Sequence, residues 1–339
     1  RNISFQNLTP LFGQTDVRNS SISRNLVIKK DLEIQLGLIS DLISAFSTEN
    51  DFDALKDRLK YYQELLQTDI KADTENIVQT FILSEIHPLF QSIKLQNIEK
   101  NQLVTDYFKK LDSRTDMVYD FPKKFDESLS SINRNLADIL DKRQEEQQQR
   151  FPFYYERFKT DGVEHNMYIG SSIAPDLTYD PIFLKNLRLW QLRVLCESEL
   201  EYNQFRKNLE FSLDVSSLIL VYSTPISIRF RMDEKRFDVD GSYNARYEMI
   251  KKRIDKSTIK NSSERITQPG KISIIFSQEK ERHDYLQLIK ILQNQNILES
   301  NVEELEVEDL QGINGLKALR VGINFEAEEV DYEFVESIG

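Results

Sequence analysis

Apolar residues in the first half of the chain recur at the period of an α-helix. Leu32, Leu36, Ile39 and Ile43 step by four, three and four and set one apolar stripe. Asn50-Asp51 can start a second helix, with Phe52, Leu55, Leu59, Tyr62 and Leu66 inward. Asp73 or Thr74 can cap a third, with Ile77, Phe81, Ile82 and Ile86 inward, and Pro88 is expected to kink or end it near His87. A fourth is predicted from about Ile98 to Leu111. A fifth runs from about Pro122 to Gln149, with proline suited to the first helical turn. Along it Phe125, Leu129, Ile132, Leu136 and Ile139 form a heptad-like seam. The first twenty-five residues hold Pro10, Gly13, Asn19, Ser20 and Ser21 and read as an irregular lead-in.

The pattern changes after Asp141 to Arg150, a stretch with no apolar residue. Asn166 to Ile169 reads as a short strand. Asp180-Pro181 is a helix start, with Phe183, Leu187, Trp190 and Val194 on one stripe. Leu218 to Tyr222 is apolar and β-branched, and Ile226, Ile228 and Phe230 alternate with polar residues, so the two segments read as a hairpin. Asp238 to Gly241 reads as a turn. A helix follows with Tyr243, Tyr247, Ile250 and Ile254 on one face, then a strand from Lys271 to Phe276, a helix from about Gln278 to Leu292 and a strand from Leu319 to Phe325. The expectation is an α+β protein. Residues 1–150 would form a helical domain ending in the long heptad-like helix. Residues 151–339 would form an α+β domain with a mixed or antiparallel sheet of about four or five strands and an acidic C-terminal tail.

Composition fits this reading. The length of 339 residues suits two domains, and the scarcity of glycine and proline, 10 and 8 residues, favours helix. One cysteine, Cys196, allows no intrachain disulfide, and a reducing, cytoplasmic compartment is expected. No apolar run reaches the ~18 residues of a membrane helix. Arg1 to Phe5 lacks the apolar core of a signal peptide, and without an initiator methionine residue 1 is expected to lie inside a longer polypeptide. The net charge of −12 disfavours nucleic acid and anionic lipid.

Reactive motifs are sparse. His87, His165 and His283 are widely separated, so no metal site and no cofactor are expected. A calcium loop beginning at Asp238 would need a carboxylate where Met249 stands. Cys196 lies in an amphipathic helix and reads as a small buried hydrophobe. No nucleophile elbow and no phosphate-binding loop are present, and no catalytic residue is assigned.

Charge supplies the one candidate site. Between Ser242 and Lys271 stand eight basic and three acidic residues, and between Glu299 and Gly339 stand twelve acidic and two basic. Arg246, Arg253, Lys256, Lys260, Arg265 and Lys271 are therefore candidates for binding a small anion or a protein partner. The plainer alternatives are side chains laid over the core with their charges in water, or internal pairing with the acidic segment. Self-association through helix 122–149 is a further expectation, set against packing of its seam within the chain.

Several segments together carry a family resemblance: Pro10 to Arg18, Phe158 to Glu164 leading to Tyr168-Ile169-Gly170, Leu184 to Leu192, Arg236 to Val239, Ile250 to Lys256, Thr267 to Lys271 and Gly315 to Gly322. In combination the chain resembles the C-terminal part of large bacterial GAF-domain-containing proteins of uncharacterised function. The resemblance implies a GAF region upstream and a regulatory, signal-transduction setting. A non-catalytic regulatory or scaffold module is thus the expected function, with an anion-binding domain or enzyme built on the basic segment as the alternative.

Overall fold

A 14-residue strand, β1 (Ser4–Val17), organises the sheet. The computed structural model describes residues 4–46, 52–68, 72–96, 98–233, 236–240, 242–310 and 312–333. The sequence reading took the segment holding β1 for a lead-in because of its turn-forming residues, and the structure explains each of them. Asn7 takes a positive φ of 53° where the register shifts between Phe5 and Leu8. Pro10 falls between the stretch paired with β5 (Ile226–Arg231), which stops at Leu8, and the stretch paired with β4 (Val215–Val221), which begins at Leu11. Its missing N–H therefore costs little. Gly13 faces the imidazole of His165, and a Cβ there would lie 2.6 Å from its Nε2.

The α+β unit also holds the part of α6 (Phe121–Gln148) from residue 129 on, with β2 (Tyr154–Thr160), β3 (Gly162–Ile169), α7 (Pro181–Phe205), β6 (Arg236–Asp240), α8 (Ser242–Ile254), β7 (Lys271–Phe276), α9 (Glu279–Asn294), β8 (Leu298–Glu306) and β9 (Lys317–Ile323). The sheet runs β2-β3-β1-β4-β7-β9-β8, with β5 paired to β1 and β6. All pairings are antiparallel except β4 with β7. β4 alternates: Ile219 and Val221 pack with Leu192 and Cys196 of α7 and Leu288 and Leu292 of α9. Leu218 and Leu220 pack with Tyr247, Ile250 and Ile254 of α8. The two faces of the sheet thus carry separate cores, and each fully buried Leu or Ile contributes roughly 1.5–3 kcal/mol. Asp180 caps α7, accepting from the Ile182 N–H at 2.7 Å, ahead of Pro181. Trp190 is 3 % exposed.

The sequence reading departs from the structure at several points. The segments β4 and β5 do not form a hairpin: both pair with β1, and the hairpin is β5–β6. Asp238 to Asp240 therefore belong to a strand rather than a turn. Eight strands, not four or five, fall in 151–325. The tail beyond Phe325 is not peripheral in its described part. Val330 is buried, Tyr332 Oη donates to Glu197 at 2.5 Å and Arg193 donates to the Glu333 carbonyl at 2.7 Å.

The second compact unit is residues 19–128; the first is 1–18 with 129–339. The division near residue 150 expected from sequence is thus replaced by one that falls inside α6. The helical unit holds α1 (Ser20–Phe46), α2 (Asp53–Leu66), α3 (Ala72–Phe81), α4 (His87–Gln96) and α5 (Ile98–Phe108). Leu36, Ile39, Ile43, Phe46, Leu59, Phe81 and Phe90 form its core. Ile77, expected inward, is 49 % exposed, and Val78 takes the buried position. Pro88 stands in the first turn of α4 after a π-helical turn, Ile82–Ile86, which accommodates its missing donor. The expected start at Asn50-Asp51 lies outside the described residues.

The seam on α6 is consumed by the chain itself: Phe125, Leu129, Ile132, Leu136 and Ile139 are all buried. Among the described residues no helix is long and apolar enough to cross a membrane.

Candidate functional site

The six basic candidates are spread over α8, the segment after it and the first residue of β7. Arg246 and Arg253 are exposed on α8. Lys260 pairs with Glu306 at 3.2 Å, and Lys271 with Glu303 at 2.7 Å. Lys256 and Arg265 lie near Asp16 and partly offset the rise in its pKa, which burial and then Asp255 push up to about 7. The acidic strand β8 acts as the internal counter-charge. Its Glu303 also receives the Nε of Arg320, which is 4 % exposed and bonds the Glu264 carboxylate at 2.8 Å and the Ile266 carbonyl at 3.2 Å. The backbone N–H of Asn261 donates to Glu308 at 2.9 Å. None of these bonds involves the described tail, so the basic segment is matched by β8 and the turn after it.

A cleft opens instead on the other side of α8. It encloses about 430 Å³ and is lined by Glu156 and Phe158 of β2, Glu164, Asn166 and Tyr168 of β3, Asp238 and Val239 of β6, and Glu248, Lys251 and Lys252 of α8. That volume suits a small organic molecule. Strand alternation builds the floor, because Glu164, Asn166 and Tyr168 sit two residues apart on one face of β3. The tight Asp161-Gly162 turn fixes the hairpin: Gly162 has φ 133°, and a Cβ would meet the backbone of Asp16 at 2.9 Å.

Lys251 ties the helix to the floor. Its Nζ donates to Asn166 Oδ1 at 3.0 Å and to Glu248 Oε1 at 2.9 Å. It also lies 4.9 Å from the centroid of the Tyr247 ring. Asn166 and Tyr168 are 1 % and 2 % exposed. The Tyr168 ring stacks on Tyr154, and the Tyr154 hydroxyl donates to Glu156 at 3.2 Å. Asp238 pairs with Arg231 at 2.9 Å. Burial raises the Glu164 carboxyl above its ordinary range, Glu248 and Asp255 add to the rise, and Lys251 opposes it. Glu164 makes no hydrogen bond or ion pair among the described residues. Burial likewise raises the Tyr168 phenol, whose charged neighbours include Glu156, Glu248 and Asp238.

Other buried polar groups serve the core. Glu199 accepts from Ser217 Oγ at 2.7 Å, Ser217 in turn bonds Thr15 Oγ1 at 2.9 Å, and burial pushes the carboxyl up to about 8. His165 Nε2 accepts from Gln191 Nε2 at 3.0 Å, and burial pushes the imidazole down to about 3. Cys196 is buried with its thiol pKa raised by burial, an inert environment for a nucleophile. Among the described residues no three His, Cys, Asp or Glu side chains are grouped to hold a metal ion. The helical unit has a cavity of about 330 Å³ lined by Leu32, Leu83, Met117 and Phe125 among others. Its polar groups answer one another: Asp126 takes the Tyr119 hydroxyl at 2.8 Å and pairs with Arg24 at 3.4 Å.

Glu248, Lys251 and Lys252 lie within the basic stretch, but Asn166 stands 85 positions from Lys251. The alternation of Glu164, Asn166 and Tyr168 was the available signal, and the strand from Tyr154 to Thr160 went unread beside it.

No family model and no curated protein matches the chain. Among solved structures, the guanylyl cyclase Cya2 is similar at 13 % identity and a TM-score of 0.33, over 60 % of this chain and 81 % of that one.

Proposed function

We propose that the chain is a non-catalytic regulatory module of a larger bacterial signalling protein, and that its α+β unit receives a small ligand in the α8 cleft. The observation that carries this reading is the cleft itself, a cavity of about 430 Å³ into which the half-buried Glu164 faces with no hydrogen bond or ion pair among the described residues. Burying a carboxylate beside a cavity is costly unless something there uses it. The resemblance to GAF-domain-containing proteins supports a regulatory parent and a cytoplasmic setting. An anion site on the basic segment is the weaker reading, because Lys260 and Lys271 already pair with β8.

Hydrogen-exchange mass spectrometry tests it. The chain would be incubated in turn with amino acids, nucleotides, dicarboxylates and amines. At least one class should slow exchange in peptides spanning 154–168 and 245–253. Unchanged exchange in both segments with every class would remove the ligand cleft. Chemical turnover of any compound in the same samples would remove the non-catalytic part of the reading.

A further inference from the structure

We propose that α6 and α7 form a seat for an extended acidic peptide that carries a tyrosine, and that the chain's own residues 330–333 fill this seat in the folded molecule. The seat shares no residue with the α8 cleft.

The occupant is extended but unpaired. β9 ends at Ile323, and residues 327–333 follow without regular secondary structure. Their burial alternates as in a strand. Val330 is 6 % exposed and joins the core shared by α7 and α9, Tyr332 packs against the same core, and Asp331 and Glu333 face solvent. Yet no sheet edge receives them. Among the described residues the main chain of 328–333 makes no backbone–backbone hydrogen bond. A terminal segment held by side chains alone belongs to the low-stability end of a fold and exchanges without unfolding the rest.

The seat is built from two helices. Arg193 and Glu197 stand one turn apart on α7. Arg143 of α6 grips Glu197 through Nε and Nη2 at 2.9 and 2.6 Å. Its guanidinium also lies 4.4 Å from the centroid of the Tyr332 ring, and the Tyr332 hydroxyl donates to Glu197 at 2.5 Å. The ring therefore enters a slot with a cation at its face and a carboxylate at its hydroxyl, which selects tyrosine. Two more arginines read the main chain. Arg150 donates to the Tyr332 carbonyl at 3.2 Å and Arg193 to the Glu333 carbonyl at 2.7 Å.

Arg193 points to a ligand rather than to ordinary packing. It is 3 % exposed, its Nε has no hydrogen-bond partner among the described residues, and the carbonyl it bonds is the segment's own. A buried guanidinium is costly unless it is paired. Asp331 and Glu333, which favour its charge, also belong to the segment. Arg143, Arg150 and Arg193 thus gather at one place on a chain whose net charge is −12, and that local excess selects an acidic occupant.

Fluorescence anisotropy tests the seat, with a labelled peptide of the sequence of residues 326–333 titrated with the full chain. The intact chain should bind it weakly, because the tethered segment competes at an effective concentration on the order of millimolar. Tyr332→Ala in the full chain loosens the tether, and the peptide should then bind saturably and at least about tenfold more tightly. The same peptide with alanine in place of its tyrosine should bind that variant at least about tenfold more weakly. Equal affinity of the two peptides would mean that no tyrosine slot is read and would overturn the proposal. So would equal affinity of the intact and variant chains, or the absence of saturable binding to a variant that keeps native Trp190 fluorescence. Loss of that fluorescence in Tyr332→Ala would make residues 330–333 part of the scaffold rather than an occupant, and would overturn it as well.

Discussion

Stability of the α+β unit should fall as pH rises from about 5 to 8. Glu199 is buried, and its carboxyl is pushed from an ordinary 4.5 up to about 8. Between those values the folded chain keeps a proton that the unfolded chain releases. Its contribution is therefore fully present below the unfolded value and is lost as pH rises through the folded one. Asp16, pushed up to about 7, acts in the same direction. His165 acts in the opposite sense. Its imidazole is pushed from 6.5 down to about 3, so the unfolded chain gains a proton first and stability is lost as pH falls below about 6.5. From about 4.5 to 6.5 the slopes of Glu199 and His165 nearly cancel, which leaves the fall due to Asp16. Above 6.5 His165 is neutral in both states and the carboxylate slope stands alone. At ~1.4 kcal/mol per pH unit, Glu199 alone removes about 2 kcal/mol between pH 6.5 and 8. Urea unfolding followed by Trp190 fluorescence measures this directly, since the sole tryptophan is 3 % exposed and lies in α7 with Glu199. Glu199→Gln should flatten most of the alkaline fall and leave the smaller contribution of Asp16. Stability that is level or rising from pH 6.5 to 8, or an equal fall in Glu199→Gln, would refute the reasoning.

Three further outcomes follow from packing. Gly13→Ala places a methyl 2.6 Å from His165 Nε2 and 2.9 Å from Gln191 Nε2; overpacking of this kind costs about 1–3 kcal/mol by urea unfolding, and a loss below ~0.5 kcal/mol would show that the imidazole moves aside freely. Arg320→Ala strands two backbone carbonyls and leaves Glu303 to Lys271 alone, and should cost about 1–3 kcal/mol, with Arg320→Lys a poor substitute because the fork of donors is lost; a near-neutral Lys variant in the same assay would contradict the bidentate role. Removing residues 326–339 should destabilise the unit through Tyr332 and Val330 and leave heparin retention unchanged, because the basic segment is matched by β8; increased retention on the column would show that the tail shields it after all.

The helices were legible because their burial follows a single period. Leu32, Leu36, Ile39 and Ile43 are all buried as expected, and Asp180-Pro181 caps α7 by the mechanism its sequence suggests. Strands proved harder where the sheet context overrides local signals. β1 carries a proline and a glycine that are tolerated because a pairing gap and a facing imidazole happen to receive them. β8 reads as a charged loop, since Glu299, Glu303, Glu304 and Glu306 fall within nine residues. It is an edge strand, where charge on the exposed side is compatible with pairing on the other. The closeness in sequence of Leu218 to Tyr222 and Ile226 to Phe230 suggested that β4 and β5 pair with each other. Both instead pair with β1, from which they are separated by about two hundred residues, and no local pattern encodes that.

The candidate site illustrates a further limit, because charge counted along the chain differs from charge counted in space. Residues 242–271 carry an excess of five positive charges in sequence. In the fold two of their lysines are bonded to β8, and Lys251 is drawn down to Asn166 and Glu248. What remains beside α8 is the acid from the strands it covers. Glu164 is the residue where the two counts diverge most, a carboxylate that burial penalises and that makes no hydrogen bond or ion pair among the described residues. A side chain of that kind weakens the fold unless a ligand repays it. Glu164→Gln should therefore leave the unliganded chain equally or more stable by urea unfolding. Loss of stability without any ligand would instead make Glu164 part of the scaffold.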